Sequence, residues 1–398
     1  MVFNNIHKSY IARFLKDLNF FGAISVPFFL DWLQVDYTRI FLLQAWFVLW
    51  IVLLEFPTGI IADRYGRKIS LALGAIFMGF DFLIFGLVRN YTILFIAEFL
   101  GAIGMTLISG ADKALIFDSL LEMKKENSAK QYFSRYEAAG TSAIVLSFPV
   151  GSMIAGAKII PYPDSLPVTF ILSGIFSILA LFFYITMHEP ERHKPSESFV
   201  MTGINGLKYL RNHKVLRVFA ANSVLISAIT FFIFWFYQPL AGRAGIGVSY
   251  YGFIAAGFNL FATLLLFGVS RLENLFGMKN LLFYSALIPA AMFIALGMVT
   301  EAYFVLPAIF LIAGSKLLRA PILADFMNRH IESKDRATIL SAVSLLEKLI
   351  ITILYPLIGL LTDYSLSYSL LFLGTLLLIF AMITRIENAQ ISAAGLRL

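Results

Sequence analysis

One stretch limits what this chain can fold into more than any other: Gly59-Ile60-Ile61-Ala62-Asp63-Arg64-Tyr65-Gly66-Arg67-Lys68, set between two long apolar runs. A turn with one acid, three bases and a glycine cannot lie in hydrocarbon, whereas about 20 largely apolar residues can cross it as a helix. The stretch therefore belongs at a membrane surface, joining two spanning helices. Composition agrees: 59% of the chain is hydrophobic and only 14% charged, against roughly 25% charge in soluble domains.

Cutting at charge clusters and at Pro, Gly or Asn breaks predicts twelve spans, near 11–33, 40–62, 69–88, 92–112, 134–157, 167–187, 215–238, 250–270, 280–299, 302–320, 337–361 and 367–385. They are expected to be helices, because lipid-exposed backbone must bond internally and the runs are too long and uniformly apolar for barrel strands. With both termini in the cytoplasm, 26 of the 31 Lys and Arg fall on the inner side. These include Lys8, Arg13 and Lys16 at the start of span 1, and Lys316, Arg319, Arg329, Lys334 and Arg336 in loop 10–11. Arg39, Arg89, Lys158 and Arg243 face outward, and Lys348 lies within a span. That bias sets the topology. It also accounts for the net charge of +7 without nucleic acid as a partner. The chain has no cysteine, which excludes disulfides and thiolate metal sites. Arg13, Lys16 and Asp17 interrupt the first apolar run and no small-residue cleavage site follows, so span 1 is expected to stay attached.

The longest polar stretch, from His188 to Lys214, separates six spans from six. The expected domains are an N-terminal six-helix bundle at 1–187, a cytoplasmic linker at 188–213 and a C-terminal six-helix bundle at 214–398. In the linker, Met201, Ile204, Leu207 and Leu210 recur at three-residue spacing beside Lys208 and Arg211. It reads either as an amphipathic helix on the cytoplasmic leaflet or as a solvated linker with a turn or two of helix. Two echoes join the halves. Ser270 to Lys279 keeps Gly277 and a trailing base of the 59–68 pattern, and Ala114-Leu115-Ile116-Phe117-Asp118 returns as Pro321-Ile322-Leu323-Ala324-Asp325-Phe326. Such duplication implies two bundles related by a pseudo-two-fold along the membrane normal.

The spacing G-x-x-x-D-R-x-G-R-K and the 6+6 layout resemble the major facilitator superfamily, in which this signature occupies the cytoplasmic loop between helices 2 and 3. The resemblance covers essentially the whole chain. Glu55 to Lys68, Ser109 to Leu120 and Arg336 to Ser341 are similar to the multidrug-efflux-like branch. Two places depart from it. Glu98 stands near where members usually carry an arginine in helix 4, and the helix 5 proline-glycine signature of drug/proton antiporters is half present, as Phe148-Pro149-Val150-Gly151-Ser152. The resemblance implies an all-α integral membrane protein with twelve transmembrane helices in two pseudo-symmetric six-helix bundles. It implies a monomer in the lipid bilayer of the cell membrane, multi-pass, with both termini cytoplasmic.

The resemblance also assigns roles. Asp63 would cap the start of helix 11, here near Arg336-Ala337, and Arg67 would pair with Asp118 at the inner end of span 4. Gly66 would allow the tight turn and Gly59 close helix packing. With Arg64 and Lys68 these residues form a cytoplasmic gate that latches the outward-open state; the alternative is that the bases only obey the inward bias. Acids within spans are costly and are functional candidates by default. Glu55, Asp81, Glu98 and Glu347 qualify as proton-coupling candidates. Glu98 is preferred because helix 4 lines the central cavity in the family, the alternative being a structural pairing with Lys348 or another base. Glu55, eight residues before Asp63, also suits the gate. By family analogy helices 1, 4, 7 and 10 face the cavity, so Asn19, Asn222, Ser227, Trp235, Tyr237 and Gln238 are the cavity candidates. With 40 Phe in the chain, an aromatic, mostly apolar cavity suits amphipathic or apolar solutes.

Enzyme chemistry has no carrier in the sequence. There is no Walker loop, the five His show no metal-ligand spacing, and no Ser/His/Asp arrangement is found. No cofactor or metal is expected, and a proton gradient is the expected energy source. The reading is a secondary active transporter that moves a small-molecule substrate by alternating access, as proton-coupled export of an amphipathic compound. The alternatives are a uniporter or importer of a nutrient or lipid-like solute, and a transporter-like receptor that moves nothing.

Overall fold

The first apolar segment does not form the single helix expected over 11–33. The computed structural model describes residues 4–190, 199–330 and 333–384, with side chains described at all of these except 199–203, 214–215, 320, 324–330 and 333–337. Helix α1 (Asn5–Lys16) starts on the Asn4 side chain, which accepts from the His7 N–H, and stops where Asp17 and Asn19 interrupt the run. The chain becomes helical again at α2 (Ser25–Pro27), followed by a π-turn at Phe28–Trp32. Protein groups make this break tolerable, as they must where backbone leaves a helix within a membrane. Ser173 Oγ accepts from the Phe20 N–H at 3.0 Å. The Phe20 carbonyl lies where a Cβ on Gly151 would stand, so only glycine fits there.

The remaining elements are α3 (Tyr37–Tyr65), α4 (Arg67–Leu87), α5 (Tyr91–Ile108), α6 (Ala111–Glu122), α7 (Ala129–Ala155), α8 (Leu166–Ile185), α9 (Phe199–Asn212), α10 (Lys214–Phe231), α11 (Ile233–Arg243), α12 (Tyr251–Phe267), α13 (Val269–Met298), α14 (Ala302–His330), α15 (Ser333–Tyr364) and α16 (Leu366–Ile383). Among the described residues, 11 helical segments are long and apolar enough to cross a membrane. The broken first segment completes the twelve. Several helices overrun the expected spans. Prolines at 57, 149, 289, 307, 321 and 356 sit inside them. Buried helices tolerate such prolines where neighbouring groups take up the freed backbone.

The chain packs as two units. The first gathers Met1–Val35, Leu43–Ser198 and Val248–Phe253; the second gathers Asp36–Leu42, Phe199–Gly247 and Ile254–Leu398. In the first, α4 is the central packing element. Gly74 meets the Gly104 carbonyl of α5, and Gly79 meets the Gly174 carbonyl of α8, close approaches that a side chain would block. In the second, Gly374 of α16 packs against the Ala290 carbonyl of α13 in the same manner. Helix α9 belongs to this second unit. Its Leu210 is buried with Leu207 packed beside it, and Gly206 lies against the Thr338 carbonyl of α15, while Ile204 of the same stripe is exposed.

The repeat is visible in the backbone. Gly66 (φ 113°, ψ 149°) separates α3 from α4, and Gly277 (φ 73°, ψ 149°) breaks α13 at the corresponding place. Both conformations are essentially restricted to glycine, which explains why Gly277 outlasts the rest of the charged pattern.

Candidate functional site

The charged turn is stitched on one side by an ion pair and on the other by a cap. Arg67 and Asp118 are paired, with side chains 12% and 8% exposed. Glu189 receives the backbone N–H of Arg67 on one carboxylate oxygen and that of Lys68 on the other, both at 2.8 Å. An acid there satisfies two orphan donors and meets the positive end of the α4 dipole. Asn5 holds the strap that carries Glu189, bonding the His188 carbonyl at 2.8 Å and accepting its N–H at 2.9 Å. Sequence reasoning missed Glu189 and Asn5; an acid just after span 6 was the available signal. Glu55 accepts from Ser109 Oγ at 2.9 Å, joining α3 to the break between α5 and α6. Arg64 is exposed and rests 5.6 Å from the Tyr65 ring centre. The expected contact of Asp63 near Arg336-Ala337 falls on side chains outside the described residues. Gly59 departs from expectation: a Cβ there would meet open space, so no close packing requires it.

Asp81 of α4 and Glu98 of α5 are each only 6% exposed. Glu98 accepts from Gln44 Nε2 of α3 at 2.7 Å. Asp81 lies against Gly101, one turn from Glu98, and its Oδ1 has no hydrogen-bond partner. Neither acid is ion-paired among the described residues, so Glu98 is bonded by an amide, with Asp81 packed one turn along α5, where a base was the alternative. Glu98 does not line the cavity described next. It lies two turns along α5 from Met105, on the order of 10 Å away.

That cavity, of about 390 Å³, lies within the first unit between α1, α4, α5, α6 and α7. Met78, Phe82, Met105, Ile108 and Ile144 form its apolar wall. Its polar end carries Arg13, Lys16, Asp17, Asn19, Ser109 and Asp112. Arg13 Nε stands 2.6 Å from Asp17, whose other oxygen pairs with Lys16. Tyr136 donates to Asp112 at 2.8 Å, and Lys113 pairs with Glu137 at 2.8 Å. Asn19 is among the lining residues, and its Oδ1 is buried without a partner. Arg13 and Lys16 had been counted as surface charges of the inner side. The pattern that could have revealed them is Arg13 and Asp17 four apart on one helical face inside an apolar run.

The second unit has a cluster of its own. Ser227 donates to Glu347 at 2.6 Å, and Lys316 stands 2.9 Å from Ser227 Oγ and 3.6 Å from Glu347. Arg319 donates to Asn222, to the Leu282 carbonyl and to Ser285. Asn222 in turn donates to the Thr384 carbonyl and hydroxyl at 2.9 Å. Lys316 and Arg319 are therefore part of α14 and inward-facing, not loop bases as the sequence had them. Arg319 stands six residues before Asp325, as Asp112 stands six before Asp118, so the repeat carries opposite charges at one position. Trp235 donates to Tyr355 at 3.3 Å, while Tyr237 and Gln238 are buried in α11.

Comparison with known proteins gives this geometry a family. Residues 9–349 match the Major Facilitator Superfamily. The chain is 27% identical over 172 residues to multidrug resistance protein 1 of Bacillus subtilis, covering 43% of this chain and 41% of that protein. It is 24% identical over 229 residues to an uncharacterised MFS-type transporter of Methanocaldococcus jannaschii, covering 56% of each. The matched part thus spans about half the length of these curated relatives. Among solved structures, a bacterial homologue of the human lysosomal transporter Spinster superposes with a TM-score of 0.79 at 15% identity, over 98% of both chains. The nucleoside transporter NupG does so with a TM-score of 0.77 at 14% identity, over 98% of this chain and 99% of that one. A fold shared with these transporters, a family match over most of its length and a glycine-hinged charged turn identify the chain as a member of the Major Facilitator Superfamily.

Proposed function

We propose that this transporter exports an amphipathic compound in exchange for protons, with Asp81 and Glu98 carrying the proton. The observation that supports this most is a pair of buried carboxylates one helical turn apart on the α4–α5 seam, Glu98 held by Gln44 and neither ion-paired among the described residues. A charge at such depth is costly, and one proton held between two acids relieves the repulsion. The pair shares the α4–α5 seam with the 390 Å³ cavity, whose Phe82 follows Asp81 directly. Loading of the seam and of the cavity can thus bias the same helices. Export is favoured by the partial similarity to multidrug resistance protein 1. The Arg67–Asp118 pair and the Glu189 cap form the fixed side of the cytoplasmic latch, and Asp63 is its moving contact.

The orientation has both termini in the cytoplasm of a monomer in the cell membrane. Setting aside the inward-facing Arg13, Lys16, Lys316 and Arg319 leaves the basic bias strongly on the inner side.

Inverted membrane vesicles energised acid inside test this reading, with drugs, organic anions, sugars and amino acids added in turn. An exported solute should enter the lumen and draw protons out, read as recovery of acridine orange fluorescence. Solute uptake without proton movement would make the protein a uniporter. Solute and proton leaving the lumen together would make it an importer. Saturable binding without counterflow would make it a receptor.

A further inference from the structure

The geometry points to an anionic head group on the transported molecule: the cavity of the first unit is built to take an amphipathic organic anion. The inference rests on the transport reading and names the substrate class of that cavity. Two cations, Arg13 and Lys16, reach the polar end, and both use the same close acid, Asp17. The other two acids near them are engaged elsewhere. Asp112 takes the Tyr136 hydroxyl at 2.8 Å and the Lys113 N–H at 2.6 Å, and Glu137 takes the Lys113 ammonium at 2.8 Å. The terminal nitrogens of Arg13 stand 3.7 Å from Asp112 and 3.5 Å from Glu137, at or beyond the limit of a hydrogen bond.

Arg13 and Lys16 therefore keep N–H donors in hand, and both are largely withdrawn from water, at 23% and 7% side-chain exposure. A guanidinium and an ammonium with open donors bind a carboxylate or a phosphate through short charge-assisted bonds. An amphipathic cation would meet Asp17, which already serves two bases, and Asp112, whose two oxygens already accept from the Tyr136 hydroxyl and the Lys113 N–H. Asn19 adds an unpartnered acceptor for a hydroxyl or N–H close to the head. The rest of the lining is apolar and includes Met78 and Met105, side chains that adapt to tails of differing shape. Its volume of about 390 Å³ is at the lower end of small-molecule sites.

The test is binding of 11-(dansylamino)undecanoate to purified full-length protein in nanodiscs, against empty nanodiscs, with no pH gradient. Laurate, dodecyl phosphate and dodecyltrimethylammonium compete in separate arms. The expected result is saturable binding displaced by laurate, by dodecyl phosphate or by both, with the cation at least tenfold weaker. The stronger of the two anions identifies the head group. Lys16→Gln should weaken binding about tenfold and Lys16→Arg should restore it. Displacement by the cation as readily as by the anions would overturn the proposal. So would unchanged binding in a folded Lys16→Gln protein, or no binding by a wild type whose thermal unfolding is cooperative. Because no gradient is applied, these results stand apart from whether protons drive transport.

Discussion

Glu189 closes the first turn of α4 on Arg67, accepting its backbone N–H at 2.8 Å while the Arg67 side chain pairs with Asp118. One residue thus ties three segments of the first unit: the strap after α8, the start of α4, and α6. Loss of a helix cap costs roughly 0.5–2 kcal/mol. Glu189→Ala should lower the unfolding midpoint in detergent and the transport rate together. An unchanged midpoint would mean the cap is ornamental.

Removing one partner of a largely buried ion pair leaves the other uncompensated, at a cost of about 3 kcal/mol or more. Asp118→Asn and Arg67→Gln should each destabilise the first unit, and the double variant should cost clearly less than the sum of the two. Simple additivity in that double-mutant cycle would show that the pair is not coupled.

Gly66 and Gly277 hold φ of 113° and 73° with ψ of 149°. Alanine at either place should cost roughly 1–3 kcal/mol in strain. Gly59→Ala should cost nothing measurable, because its Cβ meets open space. Chemical unfolding of the three variants in mixed micelles separates these outcomes, and equal losses at 59 and 66 would contradict the backbone argument.

Ser227 lies between Lys316 and Glu347, donating to the acid at 2.6 Å and standing 2.9 Å from the ammonium. Ser227→Ala should destabilise by roughly 1 kcal/mol, the net contribution of a typical hydrogen bond, since Lys316 and Glu347 keep each other as partners. Ser227→Thr, which keeps the hydroxyl, should recover most of it. Equal loss in both variants would assign the effect to packing.

Twelve apolar segments and the turn at Gly66 were legible in the sequence because hydropathy and glycine punctuation are local properties. The pairing of Arg67 with Asp118 came from the resemblance of the motif, and the structure places the two side chains together. What stayed hidden depends on contacts between distant helices. Arg13, Lys16, Lys316 and Arg319 looked like surface charges because a one-dimensional reading does not say which face of a helix a base occupies. Asp81 and Glu98 were each visible as intramembrane acids, but the packing of Asp81 onto α5, one turn from Glu98, depends on the room that Gly101 leaves. The break after Lys16 likewise depends on Gly151 and Ser173, far away in sequence.

On the proposed mechanism, Asp81 and Glu98 carry the coupled proton. The most direct test is solute-driven proton flux in proteoliposomes with an entrapped pH dye, comparing wild type with Glu98→Gln and with Asp81→Asn. Flux is expected in the wild type and its loss in both variants, with counterflow of the labelled solute retained. Proton flux at the wild-type rate in both variants would contradict that mechanism.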